Sequence, residues 1–127
     1  MGSKFRQRVQ GYTWGVYPIS QSTTWAVLTS VDFKDTEKDN TVLAASLYFD
    51  QVTIMNTHAS QDLFLKYGAV SMTAGVTTGA IPMPSGGSTP STWGPENLNG
   101  KQVQTIQVAG SGAATTGYII ARFFSRP

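Results

Sequence analysis

The chain has 127 residues, a net charge of +2, 13% charged residues and no cysteine, against roughly 25% charged residues in an average soluble domain. This length predicts one domain with a core large enough to fold unaided, and the lack of cysteine excludes disulfides, thiol chemistry, Cys-based zinc sites and iron–sulfur clusters. With 40% hydrophobic residues wholesale disorder is not expected; no apolar run approaches the ~20 residues of a membrane helix, and no basic region followed by an apolar stretch marks a secretory signal.

No window carries a helical apolar stripe. Short β-branched and aromatic runs are bounded instead by Gly, Pro, Asn and Asp, which is the signature of strands. Tyr12–Ile19 is aromatic but holds Gly15 and Pro18, so it reads as an extended arm or an edge strand. Thr24–Ser30 reads as a strand, Lys34–Asn40 as a polar loop, and Thr41–Phe49 as a strand bent near Ala44 and Ala45. Gln51–Asn56 alternates, with Val52 and Ile54 on one face; Thr57–Gln61 is a turn; Asp62–Tyr67 puts Leu63, Leu65 and Tyr67 together. Val76–Met83 is a short strand entering a loop, and Pro84–Pro95 is the strongest loop of the chain. Asn99-Gly100 is a tight turn. Gln102–Val108 is a strand, Ala109–Ala114 a turn, and Gly117–Phe124 the closing strand, with Tyr118, Ile120 or both expected in the core. Roughly seven to nine short strands at this spacing predict an all-β fold. The expected architecture is a single antiparallel, jelly-roll-like β-sandwich over residues 24–127, with residues 1–23 as an extended N-terminal arm.

Charge is placed unevenly. Lys4, Arg6 and Arg8 precede any acid, Asp32–Asp39 is mixed, and from Ala69 to Asn99 only Glu96 is ionisable. A nucleic-acid binder would carry a longer basic stripe. The three N-terminal cations read either as a solvated tail or as an arm against an acidic protein neighbour or packaged nucleic acid. An uncharged Thr/Ser/Gly/Gln-rich surface fits a protein that packs against copies of itself or a larger assembly, since free domains keep more charge for solubility.

The residues offer little for catalysis or metals. His58 is the only histidine, and Asp50, Ser60 and Asp62 lie near it in sequence, but a triad is a matter of geometry and no G-x-S-x-G elbow is present. A turn is the simpler reading of Asn-Thr-His-Ala-Ser. The Asp32–Asp39 acids lack the glycine and the spacing of a calcium loop. Gly86-Gly87 is followed by neither Lys-Ser/Thr nor a helix, as a phosphate loop would require. No cofactor and no metal are expected. Exposed aromatics are the remaining candidates: Tyr12, Trp14, Tyr17 and Trp93 could contact a partner or stack on sugar, and Trp93 in its Gly/Pro loop could equally anchor the loop.

From Phe49 to Phe124 the order of strands and turns forms a pattern: Val52-Thr-Ile-Met-Asn-Thr57, Asp62-Leu-Phe-Leu-Lys-Tyr-Gly68, Gly79-Ala-Ile-Pro-Met83, a strand beginning at Ser91–Trp93, and a terminal Arg-Phe-Phe. It resembles the small β-sandwich structural proteins of bacteriophage particles, in which a strand like VxIxNT precedes one like xLYVxYG, then GIPLxPGES and xxVRVxxF. Here the Pro-Gly-Glu-Ser turn is replaced by Pro84-Ser-Gly-Gly-Ser88. The resemblance implies a non-enzymatic virion protein, of the capsid decoration or cement class, or else a vertex, neck or tail component. It implies as partners the major capsid protein and copies of the chain itself, as a trimer or a pentamer, with no membrane and no nucleic acid. Lys4, Arg6, Arg8, Tyr12, Trp14, Tyr17 and Trp93 are the expected contacts. A glycan-binding module, with Trp93 and the Pro84–Pro95 loop as its contact, is the alternative.

Overall fold

The computed structural model describes residues 12–37, 41–98 and 100–125. Nine strands are formed: β1 (Tyr12–Gln21), β2 (Ala26–Leu28), β3 (Lys34–Asp35), β4 (Tyr48–Asn56), β5 (Leu63–Tyr67), β6 (Ile81–Met83), β7 (Ser91–Asn97), β8 (Ile106–Gly110) and β9 (Thr115–Phe124). A single 3-10 turn, Ser30–Asp32, is the one helical element among the described residues. The strands make a five-stranded sheet in the order β3-β1-β9-β4-β7 and a four-stranded sheet in the order β2-β8-β5-β6. Every pairing is antiparallel. The fold is the expected all-β sandwich.

Alternation along β9 shows how the core is made. Thr115, Gly117, Ile119, Ala121 and Phe123 are buried, while the residues between them face outward. Ile119 and Phe123 meet Val52, Ile54 and Phe49 from β4, and Leu63, Leu65, Ile106 and Val108 from the other sheet. Phe33, Phe49 and Phe123 form its aromatic centre, with ring centroids 4.5 to 5.6 Å apart. Full burial of each such side chain is worth about 1.5–3 kcal/mol. Tyr118 and Ile120 are therefore not core residues. The run Tyr-Ile-Ile-Ala-Arg-Phe-Phe is apolar on both faces, and a slip of one residue exchanges the faces.

Other boundaries differ from expectation: Lys34-Asp35, expected within a polar loop, forms β3, and the expected strand Thr24–Ser30 is confined to Ala26–Leu28. Tyr12–Gln21, within the segment expected as an arm, pairs with β9 along all ten residues. Its other edge meets β3 only at Gly15 and Val16, so Pro18 lies where no second neighbour needs its missing N–H. Thr41–Phe49 is not one strand, because the chain turns at Ala45-Ser46 with Ser46 at a φ of 66°. Within the Pro84–Pro95 loop, residues from Ser91 onward form edge strand β7. The ladder with β4 shifts between Val52 and Ile54, opposite Gly94, whose φ of +100° and 2.7 Å gap from a would-be Cβ to the Val52 carbonyl need glycine. Finally, Ala109 and Gly110 continue β8, while Gln102, at a φ of 54°, precedes it outside any strand.

The two sheets differ on their outer sides. In β8, Gln107 and Ala109 point away from the core by alternation, yet both are buried. The loop of residues 68–80 covers Gln107, whose Nε2 donates to the carbonyls of Gly68 (3.0 Å) and Val70 (2.7 Å). The buried Trp25 donates its indole N–H to the Val76 carbonyl at 3.1 Å, and Gly75 N donates to Thr23 O. The described residues place no such roof over the five-stranded sheet.

Candidate docking face

The outer side of the five-stranded sheet is organised in rows across β1, β9 and β4. Register puts Tyr12, Phe124 and Tyr48 in one row, then Trp14, Arg122 and Gln51, then Val16, Ile120 and Thr53, then Pro18, Tyr118 and Met55. Ser20 and Thr116 follow, with Thr57 bonded to Thr116 through their hydroxyls at 3.1 Å. Exposure of Tyr12, Trp14 and Tyr118 is 49%, 37% and 46%, so three large aromatics cluster on one sheet face rather than lying scattered over the surface.

Lys34 of edge strand β3 continues the Val16 row and is exposed, and the one charged side chain within the rows of β1, β9 and β4 is held in place. A bulge at β4 between Phe49 and Gln51 sets Asp50 beside Arg122. Asp50 is 1% exposed and accepts from Arg122 Nε at 2.6 Å, with Nη2 2.5 Å from the same oxygen. The guanidinium carbon lies 4.7 Å from the Tyr12 ring centroid and 5.6 Å from that of Trp14. A guanidinium seated on a buried carboxylate and flanked by two rings is rigid, and its charge is largely met within the chain. Phe124 stacks on Tyr48 at 5.6 Å and meets Tyr12 edge-on at 6.4 Å.

The expected contact residues separate. Tyr12 and Trp14 come together on the outer face around Arg122. Tyr17 alternates to the inside, 5.8 Å from Phe33; burial, and then the nearby Asp32, push its phenol pKa above the usual value. Trp93 pairs with Ile54 and packs against the core. Lys4, Arg6 and Arg8 lie outside the described residues. Residues not expected as contacts from the sequence complete the face: Arg122 with Asp50 beneath it, Tyr118, Ile120, Phe124, Tyr48 and Met55. Their available signal was a closing strand with apolar residues on both alternating sets.

The residues screened for chemistry have structural partners. His58 Nδ1 accepts from the backbone N–H groups of Ser60 (3.1 Å) and Gln61 (3.0 Å), and Asn56 Oδ1 accepts from His58 N. The Asn-Thr-His-Ala-Ser segment is thus a side-chain-braced turn. Asp62 Oδ1 accepts from Ser85 N. Asp32 and Asp35 accept from the N–H groups of Thr29 and Glu37. Among the described residues no three His, Asp or Glu side chains group as a metal site. Tyr67 donates its hydroxyl to Glu96 at the inner edge of β7, and burial followed by that contact raises its pKa.

No protein-family model and no curated protein matches the chain. Among solved structures it is similar to a protein of Bacillus endospore appendages, described as disulfide-linked pili, at 15% identity, covering 91% of this chain and 88% of that one with a TM-score of 0.45. It is similar to the Tobacco streak virus coat protein at 16% identity, covering 93% and 90%, with a TM-score of 0.41. It is also similar to the PRD1 vertex protein at 14% identity, covering 91% and 73%, with a TM-score of 0.44. Likeness of this degree says nothing about what the chain binds.

Proposed function

We propose that the chain is a non-enzymatic structural protein of a bacteriophage particle, of the capsid decoration or cement class, that works as a homo-oligomer on the capsid lattice. The observation that carries this reading is the unroofed aromatic face around Arg122, a rigid surface suited to a permanent protein contact. The strand-and-turn resemblance to small virion sandwiches and the scarcity of charge point the same way. Residues 1–11, with Lys4, Arg6 and Arg8, supply the tie to the major capsid protein, and many weak ties on one lattice add through avidity. A vertex, neck or tail position uses the same features. The glycan-binding alternative is disfavoured because Trp93 packs against the core.

The test is co-sedimentation of the purified protein with particles that lack it. The full chain is expected to attach, and a chain without residues 1–11 to fold normally but attach more weakly. Charge reversal at Arg6 and Arg8 should flatten the salt dependence of attachment. A full chain that ignores particles and binds a sugar in a saturable way contradicts the proposal.

A further inference from the structure

We infer that the outer face of the five-stranded sheet is closed by the same face of a second copy, about a two-fold axis that runs across the strands along the Val16–Ile120–Thr53 row. This rests on the structural-protein reading and names the partner for that surface.

Self-complementarity is the first argument. The two ends of the face differ in size: rings of Tyr12, Phe124 and Tyr48 at one end, hydroxyls of Ser20, Thr116 and Thr57 at the other, with large side chains in the rows on both sides of Val16, Ile120 and Thr53. A two-fold axis across the strands exchanges those ends, so the bulky end of each copy meets the small end of the other. Large-against-small layering is how apolar faces interdigitate, and the contact is isologous as a closed dimer requires. Aligned sheets cross at about 30°, so the fit is tightest along the axis row.

Charge is the second. Arg122 is the only charged side chain in the rows of β1, β9 and β4, with the exposed Lys34 of edge strand β3 beside Val16 at their rim, and Tyr118 lies the same distance from Ile120 on its other side along β9. The axis therefore sets the Tyr118 ring of each copy over the partner's guanidinium, beside Tyr12 and Trp14. A two-fold axis parallel to β9 would instead oppose the two guanidinium groups at the centre of the patch, whereas the axis across the strands brings together only the Lys34 side chains, exposed at its rim where solvent screens them.

Area is the third. Strands about 4.8 Å apart and ten residues at about 3.4 Å each make the three-strand patch on the order of 500 Å² per copy. Two copies bury about 1,000 Å², the lower threshold for a biological contact and below the standard interface size.

The chain has no cysteine, so a single engineered thiol reports the contact. Facing sheets lie about 10 Å apart, too far for a disulfide but within reach of a short bis-maleimide. Ile120→Cys is expected to cross-link to twice the chain mass in high yield. Val27→Cys, 57% exposed on the other sheet, should remain uncrosslinked. Adding Tyr118→Asp to Ile120→Cys should weaken association by on the order of tenfold or more, with the circular dichroism of the fold retained. Equal cross-linking at Val27→Cys and Ile120→Cys, or none at either, overturns the two-fold contact. Cross-linking that appears only after residues 1–11 are deleted also overturns it, since that segment would then be the occupant. Particle attachment is scored separately: a chain that attaches without pairing loses this inference and keeps the structural role, and one that does neither loses both.

Discussion

The outer faces of the two sheets are covered differently. Over the four-stranded sheet, the loop of residues 68–80 is fastened by Gln107 and Trp25, and the outward residues of β8 are buried by the chain itself. Over the five-stranded sheet, the described residues leave Tyr12, Trp14 and Tyr118 between 37% and 49% exposed. The described residues roof one face within the chain and leave the other aromatic, with Arg122 paired to Asp50 and Lys34 at its rim, and this difference is what motivates the proposed contact outside the chain. The same physics of apolar burial acts on both faces; what differs is where the covering atoms come from.

The largest expected effect tests the roofed side. Trp25→Ala removes a buried ring and the anchor of the loop, and should cost about 3–5 kcal/mol by chemical denaturation. Trp14→Ala on the bare side should cost a small fraction of that in a dilute monomer; equal losses would erase the distinction between the faces. Next is the anchor of the bare face. Arg122→Ala strands the buried Asp50 carboxylate, an effect on the order of 3 kcal/mol. Pairing Arg122→Met with Asp50→Leu should recover much of it, because no buried charge remains. A double variant as unstable as the single one would mean that the ion pair does not dominate that site.

Alkaline pH gives a smaller effect confined to the inner side. Tyr17 and Tyr67 have raised pKa values in the fold, while unfolded phenols ionise near 10. Below that pH their contribution is complete. Above it the unfolded chain releases protons that the folded chain retains, so stability falls as pH rises. Tyr67→Phe should reduce that slope, measured by denaturation at successive pH values above 9, and an unchanged slope would contradict the assignment. Tyr118→Asp is expected to have the least effect on the fold, within about 0.5 kcal/mol as for an ordinary surface change, since its side chain faces outward. Cooperative unfolding by that variant would return Tyr118 to the core.

The strands were legible where alternation was clean. Val52 and Ile54, and Leu63 and Leu65, declare their faces because polar residues sit between some of them. The closing strand was legible as a strand but not in register, because Ile119 and Ile120 are chemically identical and only the opposite sheet distinguishes them. The edge strand β7 was obscured by Gly94 and Pro95, which a bulge on an edge tolerates and an inner strand does not. Tyr12 and Trp14 were legible as aromatics near the N-terminus. The pairing of Asp50 with Arg122, 72 residues apart in sequence, was not, since β4 and β9 become neighbours only in the sheet. Its trace in the sequence is slight: one acid and one base, each alone within an apolar strand.

The most direct test of the bare face as a contact surface is the solution mass of the intact protein, by light scattering across a concentration series, beside Tyr118→Asp. The account predicts a dimer for the natural chain and a folded monomer of 13.6 kDa for the variant. A natural chain that stays monomeric at every concentration, or a variant that associates as well as the natural chain, would contradict it.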